Sequence, residues 1–359
     1  MHSMVKCLFV ATFLLILFNL KFFDNSDSLS YNADIPFPKG EAYMRRFLNV
    51  GMIQSETYPL DFETCLARIR KDVDDLMAGM HVPELVLGVE MAIGRYWADD
   101  ETQLGGDTIP GRVTDELGRI AKEYGIYFIP GSMIESCVEN GEKKLYNSLP
   151  IFGPDGEIID VYRKICPYYP AEEGFSPGNK YVTFDIKEKN IKIGVMICHD
   201  WCFPEISRNL TLMGAEFLFR PAIDPEGLYE SCKALAPARA FENQAYFLSL
   251  NASGDYLGGR AYGRSILAGP DGNVLWEAGD NTTMLTVTLD FDRVSDVRRY
   301  GTNYTDQLLR QLKVFDPPMP YAGSLADAPV FRDLPEPDMT MAERAEMFKK
   351  EGLMNIGRK

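Results

Sequence analysis

Histidine is scarce in this chain. Its 359 residues include only three, His2, His81 and His199. Ser-His-Asp catalysis and histidine-ligated metal or haem sites all depend on this side chain. Because His2 also lies near the N-terminus, at most two histidines remain for the folded part, and most of these schemes are excluded.

Cysteine is present, but its spacing does not suggest a structural role. Seven cysteines cannot all pair within one chain, and no Cys-x-x-Cys motif occurs. Cys198 and Cys202 lie close together, but no nearby Cys/His pair completes the four ligands of a structural zinc site. We therefore expect no metal site. A redox or metal protein that uses Cys198 and Cys202 remains an alternative, and it predicts a bound metal or a reversible disulfide.

Positive charge is also in deficit. Lysine and arginine number 37 against 52 aspartates and glutamates, for a net charge of −15. General affinity for nucleic acid or for an anionic membrane needs clustered cations, so we expect no nucleic-acid partner. The hydrophobic fraction of 46%, with 12% aromatic residues, is typical of a globular protein.

The apolar run near the N-terminus is short. Residues 7–20 carry no charge, Lys6 precedes them and the polar sequence DNSDS follows shortly after. A transmembrane helix needs about 20 such residues, so the run fits the core of a signal peptide better. Three interpretations remain open: a cleaved signal, an uncleaved anchor with membrane contact through 7–20, or an over-extended gene start. Export or membrane attachment is therefore one expectation and a cytoplasmic location the other, and residues 1–30 are set aside.

From about residue 44 the apolar periodicity alternates between strand and helix. Strand patterns occupy 47–54, 84–90 and 126–135, and helical patterns occupy 65–80 and 114–125. This alternation predicts an α/β layered fold.

Two segments each place apolar strands around the turn sequence GPDG. They are 147–164 and 264–279, and proline, aspartate and glycine suit the successive positions of such a turn. They predict two hairpins, which either belong to two related halves of one domain or are two independent turns.

The tail from 301 to 359 is proline-rich, and its pattern predicts a short helix at 342–352. We interpret 44–300 as one domain and 301–359 as a C-terminal arm.

Cys198 lies at a strand end. Residues 191–198 alternate as in a strand, Pro204 suits a first helical turn, and Glu205 suits a helix N-terminus. Such strand-to-helix turns are where α/β sheets present nucleophiles, although an isolated cysteine is often only packed in the core. A nucleophile also needs a base, and His199, as the adjacent residue, should point to the other side. The base should therefore come from elsewhere.

Two other predicted strands also end in charge. VLGVE ends in Glu90, and IIDVYRK ends in Arg163 and Lys164. A cap or ion pair would explain Glu90 alone, and a solvated charge would explain Lys164 alone. Three strand ends that carry Glu, Lys and Cys together indicate a functional site more strongly than any one of these residues does alone.

With these residues, the chain resembles the nitrilase, or carbon–nitrogen hydrolase, superfamily over about residues 47–295. PELVLGVEMA, DVYRK and GVMICHDWCFPE resemble the stretches that carry that family's Glu-Lys-Cys triad, here Glu90, Lys164 and Cys198. YNSLPIFGPDG, ARAFENQAYFLSLN and GRSILAGPDG resemble further family stretches in the expected order. The resemblance implies a four-layer α-β-β-α sandwich and a homodimer or higher homo-oligomer.

The branch implied is that of the aliphatic amidases and formamidases. EEGFSPG resembles their glutamate-glycine-aromatic-Pro-Gly stretch, in which Glu173 would position the substrate. His199 and Trp201 depart from the tyrosine and glycine usual there. N-carbamoyl-amino-acid hydrolases often carry arginines after the equivalent of Asp200, where this chain has Trp201 and Cys202.

The resemblance implies a thiol amidohydrolase that acts on a small-molecule amide without a cofactor. Glu90 would be the base, Cys198 the nucleophile, and Lys164 with the backbone N–H of His199 the stabilisers of the oxyanion. Tyr169 and Trp201 would help to position the substrate. Further interpretations concern residues outside this set: Trp97 and Phe175 are candidates for the acyl pocket, and Arg239 and Glu242 for a structural ion pair. An N-carbamoyl amidohydrolase and a catalytically dead binding protein are the alternatives.

Overall fold

The computed structural model describes most of the chain between residues 45 and 315. The described residues are 45–56, 61–93, 106–168, 172, 174–256, 259–302 and 307–315. The leader at 1–30 and the predicted short helix at 342–352 lie outside them. No helix within the described ranges is long and apolar enough to cross a membrane.

The strands form two large sheets. The first has seven strands in the order β15-β1-β2-β3-β5-β4, with β6 paired to β5. Its strands are β1 Phe47–Gln54, β2 Leu85–Leu87, β3 Tyr127–Ile129, β4 Met133–Glu139, β5 Glu142–Phe152, β6 Ile158–Arg163 and β15 Thr283–Asp290. The parallel strands β1, β2 and β3 lie at its centre.

The second sheet has six strands in the order β14-β13-β10-β9-β8-β7. Its strands are β7 Val182–Ile186, β8 Ile191–Val195, β9 Phe217–Ala222, β10 Tyr246–Asn251, β13 Ile266–Ala268 and β14 Val274–Glu277. Two short strands, β11 Ser253–Tyr256 and β12 Gly259–Tyr262, pair separately. The parallel trio β8, β9 and β10 lies at the centre of this sheet.

Helices flank the sheets. They are α1 Phe62–Met77, α2 Arg112–Tyr124, α3 Pro204–Leu212, α4 Tyr229–Asn243, α5 Asp292–Tyr300 and α6 Leu308–Phe315. Asp61 caps α1 by accepting a hydrogen bond from the backbone N–H of Thr64 at 2.9 Å. Gly125, the last residue of the helical pattern predicted at 114–125, ends α2 in the left-handed conformation.

Side-chain alternation assigns the layers. On β8, Ile191, Ile193 and Val195 belong to a core that also contains residues of the first sheet, and Tyr127 of that sheet contacts Phe184 of the second at 6.3 Å between ring centroids. The opposite face of the second sheet packs against α3 and α4 in a separate cluster. Gly51 lies against Leu76 of α1, on the outer side of the first sheet. The predicted four-layer α-β-β-α sandwich is confirmed.

The observed elements differ from the predicted ones in detail. Both GPDG segments form antiparallel hairpins, β5–β6 and β13–β14. The single strand predicted at 126–135 was wrong, because Pro130 and Gly131 divide it into β3 and β4. Gly131 has φ +113°, and a Cβ atom there would lie 2.0 Å from the carbonyl oxygen of Val89. This close crossing of two loops lies immediately before Glu90.

Candidate active site

Glu90 follows the short central strand β2 on a tight turn. The next residue, Met91, has φ +48°, and its N–H donates to Oγ of Ser132 at 2.9 Å. The carboxylate of Glu90 accepts the backbone N–H of Ile223 at 3.0 Å, from the loop after β9. Glu90 is therefore buried and fixed by groups from both sheets.

Lys164 immediately follows β6. Its backbone N–H donates to the carbonyl of Asn147 on the neighbouring strand β5 at 2.9 Å. Its ammonium lies 2.9 Å from Oε1 of Glu90, and both side chains are 1% exposed. Two of the three predicted catalytic side chains thus form one buried ion pair.

A second carboxylate completes this cluster. Glu172 is 0% exposed, and its Oε2 lies 2.7 Å from Nζ of Lys164. The amide nitrogen of Asn147 donates to both Glu90 and Glu172, at 2.8 Å each. Burial disfavours the lysine cation, but Glu90 and Glu172, with the Cys198 thiolate, outweigh it and hold the pKa of Lys164 well above its usual value.

Glu172 was missed by the sequence reasoning, which chose its neighbour Glu173 as the additional, substrate-positioning glutamate of EEGFSPG. Glu173 lies outside the described residues, so its assignment stays a prediction. The available signal was the adjacent pair of glutamates in EEGFSPG, but periodicity cannot tell which of two neighbours faces the lysine.

Cys198 begins a short 3-10 turn, Cys198–Cys202, between β8 and α3. Its φ of +45° is unusual for a residue with a side chain, and its side chain is almost completely buried. Burial, followed by the charge of Glu90, raises the pKa of its thiol well above the usual value, while Lys164 opposes that rise. The N–H of Ile223 binds Glu90, and the next residue, Asp224, accepts a hydrogen bond from the Cys198 thiol, so the three predicted residues share one site.

The thiol has its own polar neighbours on β9 and the loop that follows. Sγ of Cys198 donates to Oδ1 of Asp224 at 3.4 Å, and Asp224 forms a buried ion pair with Arg220 at 2.8 Å. Nε of Arg220 donates to the carbonyl of Cys198 at 2.9 Å. Sequence reasoning missed this pair, although an arginine inside the apolar strand FLFRPA was a visible signal.

Trp201 lies against that arginine. Its ring is 3.7 Å from the guanidinium carbon of Arg220, it is 3% exposed, and it belongs to the core cluster beneath α3 and α4. Arg239 donates to the Trp201 carbonyl at 2.9 Å and pairs with Glu242 at 2.9 Å, so the predicted structural ion pair is confirmed. The side chain of Trp201 is therefore packed in the core.

The turn after Cys198 is anchored by Asp200. Its carboxylate accepts three hydrogen bonds: the Tyr162 hydroxyl at 2.7 Å, the N–H of Ile197 at 2.8 Å and the N–H of Cys166 at 2.8 Å. Burial raises the pKa of Asp200 to about 6, against the effect of Lys164 and these donors. Asp200 thus fixes both the Cys198 turn and the segment after Lys164.

The ring of His199 is directed towards aromatic groups. It makes edge contacts with Tyr168 at 5.1 Å and Phe203 at 5.4 Å between ring centroids. Burial, followed by the charge of Lys164, lowers the pKa of His199. The predicted separation of this ring from the thiol agrees with these contacts.

Two other predicted pocket residues, Trp97 and Tyr169, lie outside the described residues. Phe175 is buried in a small cluster with Met91 and Ile134. Within the described ranges, no group of three or more His, Cys, Asp and Glu side chains could hold a metal ion. Cys198 and Cys202 are both free thiols.

Known proteins share this sequence and fold. The family profile for carbon-nitrogen hydrolase matches residues 49–299. The chain is 32% identical over 203 residues to omega-amidase NIT2 of Xenopus tropicalis, covering 54% of this chain and 71% of that protein. It is 34% identical over 171 residues to a nitrilase of Pyrococcus abyssi, covering 47% and 61%.

Solved structures give the same result. The crystal structure of Saccharomyces cerevisiae Nit3, described as a member of branch 10 of the nitrilase superfamily, is 26% identical, with a TM-score of 0.65 over 70% of this chain and 93% of that one. An amidase from Nesterenkonia AN1 shares the fold at 24% identity, with a TM-score of 0.58 over 70% and 94%. The chain belongs to the carbon–nitrogen hydrolase family of the nitrilase superfamily.

Proposed function

We propose that this hydrolase cleaves a linear amide to a carboxylate and ammonia through a thioester on Cys198. The observation that carries the proposal is the 2.9 Å contact between Lys164 and Glu90, both 1% exposed, whose charges act on the Cys198 thiol. Burying an ion pair this deeply has a large desolvation penalty, and such arrangements cluster at functional sites.

The first half-reaction forms the thioester. Glu90 accepts the thiol proton as Sγ of Cys198 attacks the amide carbonyl carbon. The tetrahedral intermediate then loses its amine, to which Glu90 returns the proton, so the C–N bond breaks and ammonia leaves. The backbone N–H of Ile223 supports this role for Glu90, because it holds one carboxylate oxygen and leaves the other with Lys164 and Asn147.

Two donors stabilise the oxyanion in this scheme. One is the ammonium of Lys164. The other is the backbone N–H of His199, since the first N–H groups of the 3-10 turn that starts at Cys198 have no carbonyl partner within the turn. Removal of one such donor typically slows an acyl-transfer enzyme by roughly 100- to 1000-fold.

We propose that Glu172 is the additional glutamate of this site, in place of Glu173, for which the resemblance implied a substrate-positioning role. Its contact of 2.7 Å with Lys164 and its bond from Asn147 hold it beside Glu90. We propose that Glu172 keeps Lys164 charged and oriented while Glu90 gains and loses its proton. The pKa of Lys164, which is raised well above its usual value, supports this role.

The second half-reaction returns the free enzyme. Glu90 removes a proton from water, and the resulting hydroxide attacks the thioester carbonyl. The C–S bond breaks, the carboxylic acid leaves, and the thiolate of Cys198 recovers its proton from Glu90.

An uncharged acyl group fits this site best. Within the described ranges, Lys164 and Arg220 are the cations that act on Cys198; Lys164 is paired with Glu90 and Glu172, and Arg220 is paired with Asp224. Lys164 is already assigned to the oxyanion and Arg220 is bound to Asp224, so we expect neither cation to hold a carboxylate on the substrate. Since the relative from Xenopus tropicalis is called an omega-amidase and the one from Pyrococcus abyssi a nitrilase, both alternatives belong in the test.

The experiment measures ammonia release from short aliphatic amides, arylacetamides, ω-amides that carry a carboxylate, nitriles and N-carbamoyl amino acids. Cys198→Ala should abolish release, whereas Cys202→Ala, an exposed cysteine on the same turn, should retain it. Release from carbamoyl compounds alone, with carbon dioxide, would replace the amide by that class. Full activity in Cys198→Ala would overturn the mechanism.

The assembly is a separate proposal. The family resemblance suggests a homodimer or higher homo-oligomer, and sedimentation equilibrium of the purified chain would decide it. A mass of 40.5 kDa at micromolar concentration would contradict the dimer.

A further inference from the structure

One short stretch of chain contacts both the proposed base and the proposed nucleophile. Strand β9 and the following loop supply Arg220, Ile223 and Asp224. The N–H of Ile223 holds Glu90 at 3.0 Å, while the Asp224 carboxylate accepts the Cys198 thiol at 3.4 Å. Both half-reactions use Glu90 and Cys198, and neither uses Arg220 or Asp224.

Asp224 is fixed from several sides. Its two carboxylate oxygens accept hydrogen bonds from the guanidinium of Arg220 at 2.8 and 3.0 Å. The hydroxyl of Tyr262 also donates to this carboxylate, at 3.1 Å. Its backbone N–H donates to Oδ1 of Asn251 at 2.7 Å. The carboxylate therefore has no freedom to turn away from the thiol.

Arg220 is equally constrained and completely buried. It donates to the Cys198 carbonyl at 2.9 Å and to the Ser249 hydroxyl at 2.8 Å, and its guanidinium lies over the ring of Trp201. One ion pair thus holds the backbone of Cys198 through Arg220 and its sulfur through Asp224. A residue with φ of +45° needs such external support.

Asp224 is poorly suited to act as the general base. Burial alone would raise its pKa, but Arg220 and the bonds from Cys198 and Tyr262 lower it below the usual value. A carboxylate so stabilised in its ionised form is a weak proton acceptor. It can orient the S–H bond without removing the proton.

We propose that Asp224, held by Arg220, is a positioning residue that keeps the Cys198 thiol protonated and oriented until the substrate enters. The proton then passes to Glu90 as the sulfur attacks. This inference rests on the proposed function, because it takes Cys198 as the nucleophile and Glu90 as the base.

Among the residues that the structure describes, four charged groups act on the thiol. Glu90 follows β2, Lys164 follows β6, and Arg220 and Asp224 belong to β9 and its loop. The two carboxylates favour the thiol form and the two cations favour the thiolate. Replacing Asp224 by asparagine keeps an acceptor of the same size but removes one negative charge, so the thiolate should form at lower pH.

The test follows alkylation of Cys198 in the full chain by iodoacetamide as a function of pH, read by mass spectrometry of the Cys198 peptide. In Asp224→Asn the midpoint should fall by about one pH unit or more, and alkylation at neutral pH should be faster. Turnover of the amide should fall about tenfold or more, with a smaller change in KM, because the amide of asparagine has only one oxygen for Arg220 and Cys198 and orients the sulfur less well than the carboxylate.

The matched control is Tyr262→Phe, which removes one bond to Asp224 but keeps its charge. Its midpoint should stay close to that of the unchanged protein. A merely structural role for Asp224 would lower thermal stability and turnover without moving the midpoint. An unchanged midpoint in folded Asp224→Asn would therefore overturn the inference.

Asp224→Asn leaves Arg220 unpaired and could fail to fold. In that case the double variant Arg220→Gln with Asp224→Asn removes both buried charges together. Turnover at least about tenfold lower, with Cys198 still alkylated at the original midpoint, supports the positioning role. Turnover within about twofold of the unchanged protein would overturn it. The alkylation measurement needs no turnover, so failure of the proposed reaction would be seen separately, in Cys198→Ala and in the substrate panel.

Discussion

Lys164 and Glu172 lie 2.7 Å apart although eight positions of the chain separate them, and neither side chain is more than 1% exposed. Glu90 binds the same ammonium at 2.9 Å. One cation therefore sits between two carboxylates, and its loss would leave two like charges together in the protein interior. The buried cluster should be sensitive both in stability and in catalysis.

Lys164→Met tests this cluster. Removing one partner of a buried ion pair costs about 3–5 kcal/mol in the free energy of unfolding, because the remaining charge is uncompensated. Amide turnover should fall as well, through loss of an oxyanion donor, while Cys198 remains available to alkylation. Urea denaturation and steady-state kinetics measure the two effects.

A matched control is Lys180→Met. Lys180 pairs with Asp160 at 2.7 Å, but it is 61% exposed, so the cost should be no more than about 1 kcal/mol. Equal losses of stability in the two variants, or unchanged kinetics in Lys164→Met, would remove Lys164 from the proposed role.

The adjacent glutamates Glu172 and Glu173 give a second prediction. Glu172→Gln removes the charge that holds Lys164 and should lower turnover roughly tenfold or more, since small displacements of catalytic groups have large effects on rate. Glu173→Gln should have the smaller effect. Side-by-side kinetics of the two variants decide between them, and the reverse order would restore the assignment made from sequence.

Features of the fold and the site that depend on local pattern could be predicted from the sequence. The strands ending near Glu90, Lys164 and Cys198, and both GPDG hairpins, follow from apolar periodicity and turn chemistry. The pairing of β1 with β15 joins residues more than two hundred positions apart and leaves no local trace. Glu172 and Asp224 likewise acquire their roles only from partners on other elements.

Asp200 gives a prediction for stability against pH. Because burial raises its folded pKa to about 6, above the value of 3.8 for an ordinary aspartate, the folded state binds this proton more tightly than the unfolded state does. The resulting stability is present below about pH 4 and is lost as the pH rises through about 6. A difference of this size corresponds to about 3 kcal/mol.

In Asp200→Asn, position 200 carries no titratable group, so this proton-linked change in stability with pH is absent. The amide also leaves at least one of the three donors facing it poorly matched, which costs about 1–3 kcal/mol. The variant should be less stable than the unchanged protein at pH 4, and this difference should close or change sign towards pH 7, because the unchanged protein loses about 2–3 kcal/mol over that range. Urea denaturation across this range checks the prediction, with Asp185→Asn, at a surface pair with Lys192, as the control. A gap that widens with pH would contradict it.

Gly131 gives a prediction for the loop crossing that fixes Glu90. Gly131 and Gly141 both have positive φ, +113° and +85°, so alanine at either should cost about 1–2 kcal/mol in backbone strain. They differ in their surroundings: a Cβ at Gly131 would lie 2.0 Å from the Val89 carbonyl oxygen, whereas a Cβ at Gly141 has nothing within 4 Å.

Gly131→Ala must therefore move the backbone just before Glu90. Since displacements near 1 Å can slow catalysis by about 100-fold, its turnover should fall well below that of Gly141→Ala. Thermal denaturation and kinetics of the two variants measure the difference, and equal turnover would show that Glu90 does not depend on this crossing.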